Sequence, residues 1–120
     1  HFEVEFSERA LEKVKWLDSY LNFDLKQTVV RQLQNQPTNR KIKRVKSLGK
    51  RFEFSIQTWR LEFETTKDKV LILDLKSGYS RCDLNAVNYD PHKDKNLHQQ
   101  FENEFHPGTF TQNNIEVVRE

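Results

Sequence analysis

Apolar residues recur along this chain with two different periods, and the switches between them mark its elements. Phe2, Val4 and Phe6 alternate with Glu3 and Glu5, the period of a strand with one covered face. Ser7 stands where an N-cap belongs, and Glu8 follows in the first turn, where a negative charge suits the helix dipole. Ala10, Val14, Leu17 and Leu21, with Leu11 alongside, draw a helical stripe from 8 to about 21. Asp24, with Gln27 three residues on, has capping-box spacing and opens a second helix. Its apolar face is Leu25, Val29 and Leu33, and Pro37 ends it. Two antiparallel helices and one long kinked helix satisfy these signals equally.

Residues 51–63, RFEFSIQTWRLEF, break their own rhythm. Phe52, Phe54 and Ile56 are even-numbered, whereas Trp59, Leu61 and Phe63 are odd-numbered. Successive strand side chains point to opposite faces, so one straight strand would expose one of these aromatic sets. A tight turn or bulge near Gln57-Thr58 puts both sets on one core, although the turn lacks the Gly or Asn of the best hairpins. Pairing across it sets Arg60 near Ser55 and Glu53, with Arg51 further along the same polar face. TTKDK is a second turn, and VLILDL, residues 70–75, reads as a strand covered on both faces or centrally placed. The order predicts an α+β domain: an N-terminal strand, two helices as a helical hairpin, then a three-stranded antiparallel meander with the helices on one face.

The last 36 residues read as a separate unit, dividing the chain into a core, 1–84, and a C-terminal helical extension, 85–120. Asp90-Pro91 resembles a helix opening, with Leu97, Phe101 and Phe105 four apart and His106-Pro107-Gly108 as a stop. A helix is therefore expected near 91–105, docked on the core, with Phe110 to Val118 adding a short strand or trailing.

Composition adds bounds. The 120 residues are 35% hydrophobic and 32% charged, with nine Phe, enough bulk for one modest core. No apolar run approaches the ~20 residues that span a bilayer, and no basic-then-apolar N-terminus resembles a secretion signal. The lone Cys82 forms no internal disulfide and fits a cytoplasmic location. There is no Met and the chain begins with His1, so the natural start is expected upstream. The net charge of +2 conceals a division: residues 1–84 hold 17 Lys/Arg against 12 Asp/Glu, and residues 85–120 hold 3 against 6. Seven of the twelve residues 40–51 are basic, which suits a polyanion or acidic partner, or a solvated strand edge that deters aggregation.

The stretch KIKRVKSLGKRFEFSIQTWRLEFETTKDKVLILDLKSGYSR, preceded by VEFSERALEKVKWLD, resembles the RelE/ParE superfamily of bacterial toxins of type II toxin–antitoxin systems. The likeness lies in element order, the basic run before the sheet, the aromatic-Arg pair Trp59-Arg60, and the element Gly78, Tyr79, Arg81. It covers residues 2 to about 84 and implies a cytoplasmic endoribonuclease that cleaves ribosome-bound mRNA. The partners it implies are a cognate antitoxin protein, mRNA and the ribosome; no membrane is involved. A ParE-like inhibitor of DNA gyrase without nuclease chemistry, or a non-catalytic protein-binding module on the same scaffold, are the alternatives.

Metal-independent RNA cleavage deprotonates the 2′-hydroxyl, protonates the leaving oxygen and neutralises the phosphorane. Arginine suits the last role because its charge is permanent and its fork matches phosphate oxygens. Arg60, Arg81 and Arg51 are the candidates, with Lys43, Arg44, Lys46 and Lys50 as backbone-tracking charges. Tyr79 is placed to stack on a base or join proton transfer. Each has a plainer reading: Arg60 pairing with Glu62, Glu53 or Glu64, Arg81 capping the last strand, Tyr79 in the core. Glu53 departs from the ribonuclease pattern, standing where a second lysine is expected, and repels phosphate unless it is the general base. His92, His98 and His106 are spaced H-x5-H-x7-H, which fits no common zinc pattern, so neither metal nor cofactor is expected. No glycine-rich phosphate loop is present, nor a Ser/His/Asp set with usable spacing. The acidic tail is expected to modulate access to the basic face.

Overall fold

The alternation at the N-terminus forms a strand, and a single serine turns it into a helix. The computed structural model describes residues 1–35, 37 and 45–107. Strand β1 (Glu3–Phe6) leads to Ser7, whose Oγ accepts the Ala10 N–H at 3.1 Å and donates to the Leu73 carbonyl at 2.9 Å. One hydroxyl thus caps helix α1 (Glu8–Asp18) and fastens it to a strand 66 residues away. Helix α2 (Leu25–Leu33) is a helix separate from α1, and the pair does not match the expected helical hairpin in detail. The Asp24 carboxylate caps it through the Gln27 N–H at 2.9 Å. Asp18, at the end of α1, accepts the Leu25 N–H at 2.7 Å, which ties the two helices together. The helix stops before Pro37, with Gln34 at its C-cap.

Four strands follow: β2 (Val45–Leu48), β3 (Arg51–Ile56), β4 (Trp59–Thr65) and β5 (Lys69–Ser77). The sheet order is β1-β5-β4-β3-β2, with β1 parallel to β5 and antiparallel pairing of β2 with β3 and of β3 with β4. The architecture is α+β, as expected, but the sheet is mixed and five-stranded rather than a meander of three. The strand missing from the sequence reading is β2, hidden because Val45 alone is buried while Lys46, Ser47 and Leu48 are exposed. Strand β5 is central, between β1 and β4, yet not covered on both sides, for Leu71 keeps 36% of its surface exposed.

The parity break is a hairpin. Ile56 pairs with Trp59, so Gln57 and Thr58 form a two-residue loop and Phe52, Phe54 and Ile56 share a face with Phe63, Leu61 and Trp59. The Phe52 and Phe63 rings stack at 5.5 Å. Phe54, Trp59, Leu61, Phe63, Val70, Ile72 and Leu75 are buried, as are Ala10, Val14 and Leu17 of α1 and Leu25, Val29 and Leu33 of α2. Both two-residue hairpin loops have positive φ at their first residue, +75° at Gly49 and 52° at Gln57. Glycine adopts that region freely; glutamine does not.

The burial parity of β5 shifts between Ile72 and Leu75, and Asp74 lies at the shift. The buried Lys13 of α1 donates from Nζ to Asp74 Oδ1 at 2.7 Å and to the Leu75 carbonyl at 3.2 Å. Burial alone would raise the Asp74 pKa. The Lys13 hydrogen bond, the Leu75 N–H and the charges of Lys13 and Arg9 outweigh it and hold the carboxyl below its ordinary range.

The chain divides into two compact units between Lys76 and Ser77. The second contains α3 (Arg81–Asn85), capped by the Ser80 side chain, and α4 (Lys95–Phe105). Helix α4 begins at Lys95, one turn beyond Pro91 rather than at it. Lys93 has φ 59°, which interrupts the helix that Asp90-Pro91 suggested. Asp90 still serves the helix start, accepting the Lys95 N–H at 3.2 Å. Phe101 is buried and packs on Phe105 at 5.0 Å, while Leu97 is half-buried and His98 fully buried. Gln99 bonds the Leu84 carbonyl at 2.8 Å, and Lys95 Nζ bonds that of Ala86. Among the described residues no helix is long and apolar enough to cross a membrane. The stretch 110–118 and the basic residues 40–44 lie outside the described residues.

Two outcomes follow from this fold. Gln57→Gly removes the left-handed strain and should raise unfolding stability by about 0.5–1 kcal/mol in urea melts, despite glycine's larger unfolded-state entropy. Asp74→Asn should cost on the order of 3 kcal/mol at neutral pH, because it removes the carboxylate charge that the buried Lys13 Nζ meets at 2.7 Å. The native carboxyl titrates below its unfolded value, so its contribution is complete above the unfolded pKa and drains as pH falls through the folded one. The denaturation midpoints of the wild type and of D74N should therefore converge in acid.

Candidate functional site

The hairpin that buries two aromatic rows turns the alternate residues of β3 and β4 to the other side. Cross-strand pairs there are Lys46 with Glu53, Glu53 with Glu62, and Ser55 with Arg60. Glu53 and Glu62 are like charges directly opposed, an arrangement that needs cations beside it. Lys76 Nζ lies 3.8 Å from Glu62, and Arg51 reaches Glu62 at 3.3 Å and Glu64 at 3.4 Å. The face is a lattice of alternating sign rather than a uniformly basic surface.

Arg60 is the exception within that lattice. Among the described residues no carboxylate pairs with it, contrary to the plainer reading of the sequence. Instead Nη1 donates to the Gln57 carbonyl at 3.0 Å and to the Trp59 carbonyl at 2.9 Å. These bonds clasp the side chain to its own turn through a single guanidinium nitrogen. Nε–H and Nη2 remain as donors, so the fork is anchored while no described carboxylate neutralises its charge.

The other predicted residues are distributed as follows. In the first unit Arg51, Glu53 and Lys46 share the face with Arg60, and Lys50 is exposed in the Gly49-Lys50 turn. Lys43 and Arg44 lie outside the described residues. Tyr79 and Arg81 belong to the second unit. Arg81 is exposed as the first residue of α3 rather than capping a strand.

Tyr79 is a member of a network that the sequence did not announce. Its hydroxyl donates to Asp94 Oδ1 at 2.7 Å, and its N–H donates to Ser77 Oγ at 3.1 Å. Ser77 Oγ also lies 2.5 Å from His98 Nδ1, and His98 Nε2 lies 3.3 Å from Asp94 Oδ2. The Tyr79 ring meets His98 edge-on at 4.6 Å and Tyr89 at 6.5 Å. A hydroxyl, an imidazole and a carboxylate thus come together in space, although their spacing in the sequence matches no usable Ser/His/Asp pattern. The spacing Asp94-x3-His98 on one helix face was the visible half of the signal, and Ser77 gave none. With His98 fully buried and Ser77 already accepting the Tyr79 N–H, the set cross-links α4 to the segment before α3. Burial, then the hydrogen bond and charge of Asp94, push the Tyr79 phenol well above its ordinary pKa. A phenol that keeps its proton so firmly can donate a hydrogen bond but is a poor base.

Elsewhere, an open depression of about 480 Å³ is lined by Asp18, Leu21, Asn22, Phe23 and Asp24. Both of its carboxylates already accept backbone N–H groups of α2. Among the described residues no group of three or more His, Cys, Asp and Glu converges on a point where a metal could sit.

No protein-family model matches the chain, and no curated protein matches it. A solved structure it is similar to is the solution structure of the conserved hypothetical protein HP0894 from Helicobacter pylori. The identity is 14% and the TM-score 0.44, over 64% of this chain and 94% of that one.

Tyr79→Phe should lower stability by about 1.5–3 kcal/mol, the worth of a hydrogen bond to a charged acceptor. The phenol's folded pKa is raised, so that contribution is full below the unfolded value of about 10 and drains as pH rises through the folded one. In an alkaline ultraviolet titration one of the three tyrosines should ionise later than the others, and the Y79F variant should lack that late step.

Proposed function

We propose that the chain is a RelE/ParE-like toxin whose first unit handles RNA on the polar face of its sheet. The observation that carries this reading is the Arg60 fork, anchored through Nη1 on two carbonyls and unpaired with any described carboxylate. A preorganised guanidinium is the group a crowded, charged phosphorane needs, because it is in place before charge develops. Glu53, two residues from the Ser55 that pairs with Arg60, is the carboxylate on this face assigned as base for the 2′-hydroxyl. Lys46 and Lys50 add charge for the nucleic-acid backbone. In this reading the β1-α1-α2 segment and the antiparallel strands are a toxin scaffold, the substrate is ribosome-bound mRNA, and an antitoxin protein silences it in the cytoplasm.

A second reading draws support from Arg51, whose guanidinium is occupied by two glutamates. A face of balanced charge suits protein contacts as well as RNA, which favours a gyrase-binding or adaptor role on the same scaffold.

The test is induction in bacteria with transcript ends mapped at codon resolution. Arg60→Ala should lower cleavage by roughly 100-fold, the usual cost of removing one preorganised charge-stabilising donor. Lys67→Ala, in an exposed turn, should leave cleavage within about two-fold. Arg60→Lys, which keeps the charge without the fork, should fall between them. Equal effects of the Arg60 and Lys67 substitutions would remove the site from this face. Replication arrest before any loss of translation would favour the gyrase reading.

A further inference from the structure

Arg51 is half exposed and is the arginine of this face most fully answered by carboxylates. Nη1 lies 3.3 Å from Glu62 Oε1 and Nε lies 3.4 Å from Glu64 Oε2. The register continues from Phe52–Phe63 to set Glu64 directly across from Arg51, and Glu62 is two residues before Glu64 on β4. Two carboxylates therefore occupy Nε and one terminal nitrogen, donors through which an arginine forks onto a phosphate. Both contacts are longer than a well-made N–H···O bond, and Arg51 and Glu64 keep 51% and 43% of their side-chain surface in water. Such pairs are weak and screened, so a polyanion can displace them. Glu62 is the better held of the two glutamates, with Lys76 on its second oxygen at 3.8 Å and 17% of its side chain exposed.

We infer that Glu62 and Glu64 form an intramolecular anionic lock on Arg51, holding its guanidinium against β4 until the phosphodiester backbone of single-stranded RNA displaces them. The inference rests on the reading that this face takes RNA and adds a regulation of that site. Because Glu53 also stands on the face, opposite Glu62 and Lys46, three carboxylates set how much phosphate charge the sheet accepts. The lock makes affinity for free RNA depend on the carboxylates of β4 as well as on the arginine fork. Glu64 opens first, being the more exposed, and Glu62 stays tethered to Lys76.

The test uses the full chain and a labelled single-stranded RNA oligonucleotide, titrated across a series of KCl concentrations. Glu64→Gln should tighten binding by about three-fold and the Glu62→Gln/Glu64→Gln pair by about ten-fold, the range expected for freeing exposed ion pairs. The slope of log affinity against log salt should steepen by about 0.7 as one more phosphate is engaged. Adding Arg51→Gln to the double variant should return affinity and slope to wild type. Glu3→Gln/Glu5→Gln removes the same charge from β1, where the partner is Lys69, and serves as the net-charge control. An equal gain in that control overturns the lock, as does an unchanged affinity in the Glu62/Glu64 variants while Arg60→Ala still weakens binding. Failure of every variant to bind RNA, or preference for an acidic peptide, overturns both the lock and the RNA reading. Thermal melts of each variant separate these outcomes from misfolding.

Discussion

The two-residue loop at Gln57-Thr58 is the constraint on which the first unit depends. With Ile56 set against Trp59, both aromatic rows fall on one side of the sheet and every intervening charge falls on the other. A slip of one residue would exchange the two sides for an entire strand. The positive φ of Gln57 is a local cost of about 1–2 kcal/mol. Burial of Phe54, Trp59, Leu61 and Phe63, each worth roughly 1.5–3 kcal/mol, exceeds it several times over. Core packing therefore dictates the turn, and the turn dictates which arginines and glutamates meet.

That dependence explains why the face is a charge lattice. The register that stacks Phe52 on Phe63 also sets Glu53 against Glu62. The like-charged pair is tolerated because Lys46 stands opposite Glu53, while Lys76 and Arg51 lie against Glu62. Among the described residues no carboxylate neutralises Arg60, which reaches back to the carbonyls of the strained Gln57 and of Trp59. The clasp that supports the turn also fixes the fork.

Much of this was readable from residue order, for identifiable reasons. Period-two and helical stripes placed β1, α1, α2, β3, β4 and β5, and the parity break located the hairpin because strand geometry admits few alternatives. Strand β2 escaped notice because an edge strand with one buried residue carries no alternation. Asp90-Pro91 is only a local signal for a helix start, and the left-handed Lys93 shifts the start of α4 to Lys95. At the site, Arg60, Glu53 and Arg51 were brought to one face by register, which sequence pattern reports. The contacts of those side chains were not visible, since the choice of Arg51 between solvent and two glutamates is made by distance. The Ser77–His98–Asp94–Tyr79 network joins residues up to 21 positions apart, beyond the reach of helical or strand spacing.

Strand β1 has a bearing on how the molecule is made. It precedes the other described elements, yet its neighbour in the sheet is β5, and the Ser7 hydroxyl meets Leu73 across 66 residues. Closing so wide a span gives no return until the far strand exists, which slows the step relative to hairpin formation. During synthesis this segment must wait beside the ribosome with Val4 and Phe6 unsheltered, while β3 and β4 can zip locally. A chaperone or early partner acting on the nascent chain would find those two apolar side chains open for as long as β5 is still to come.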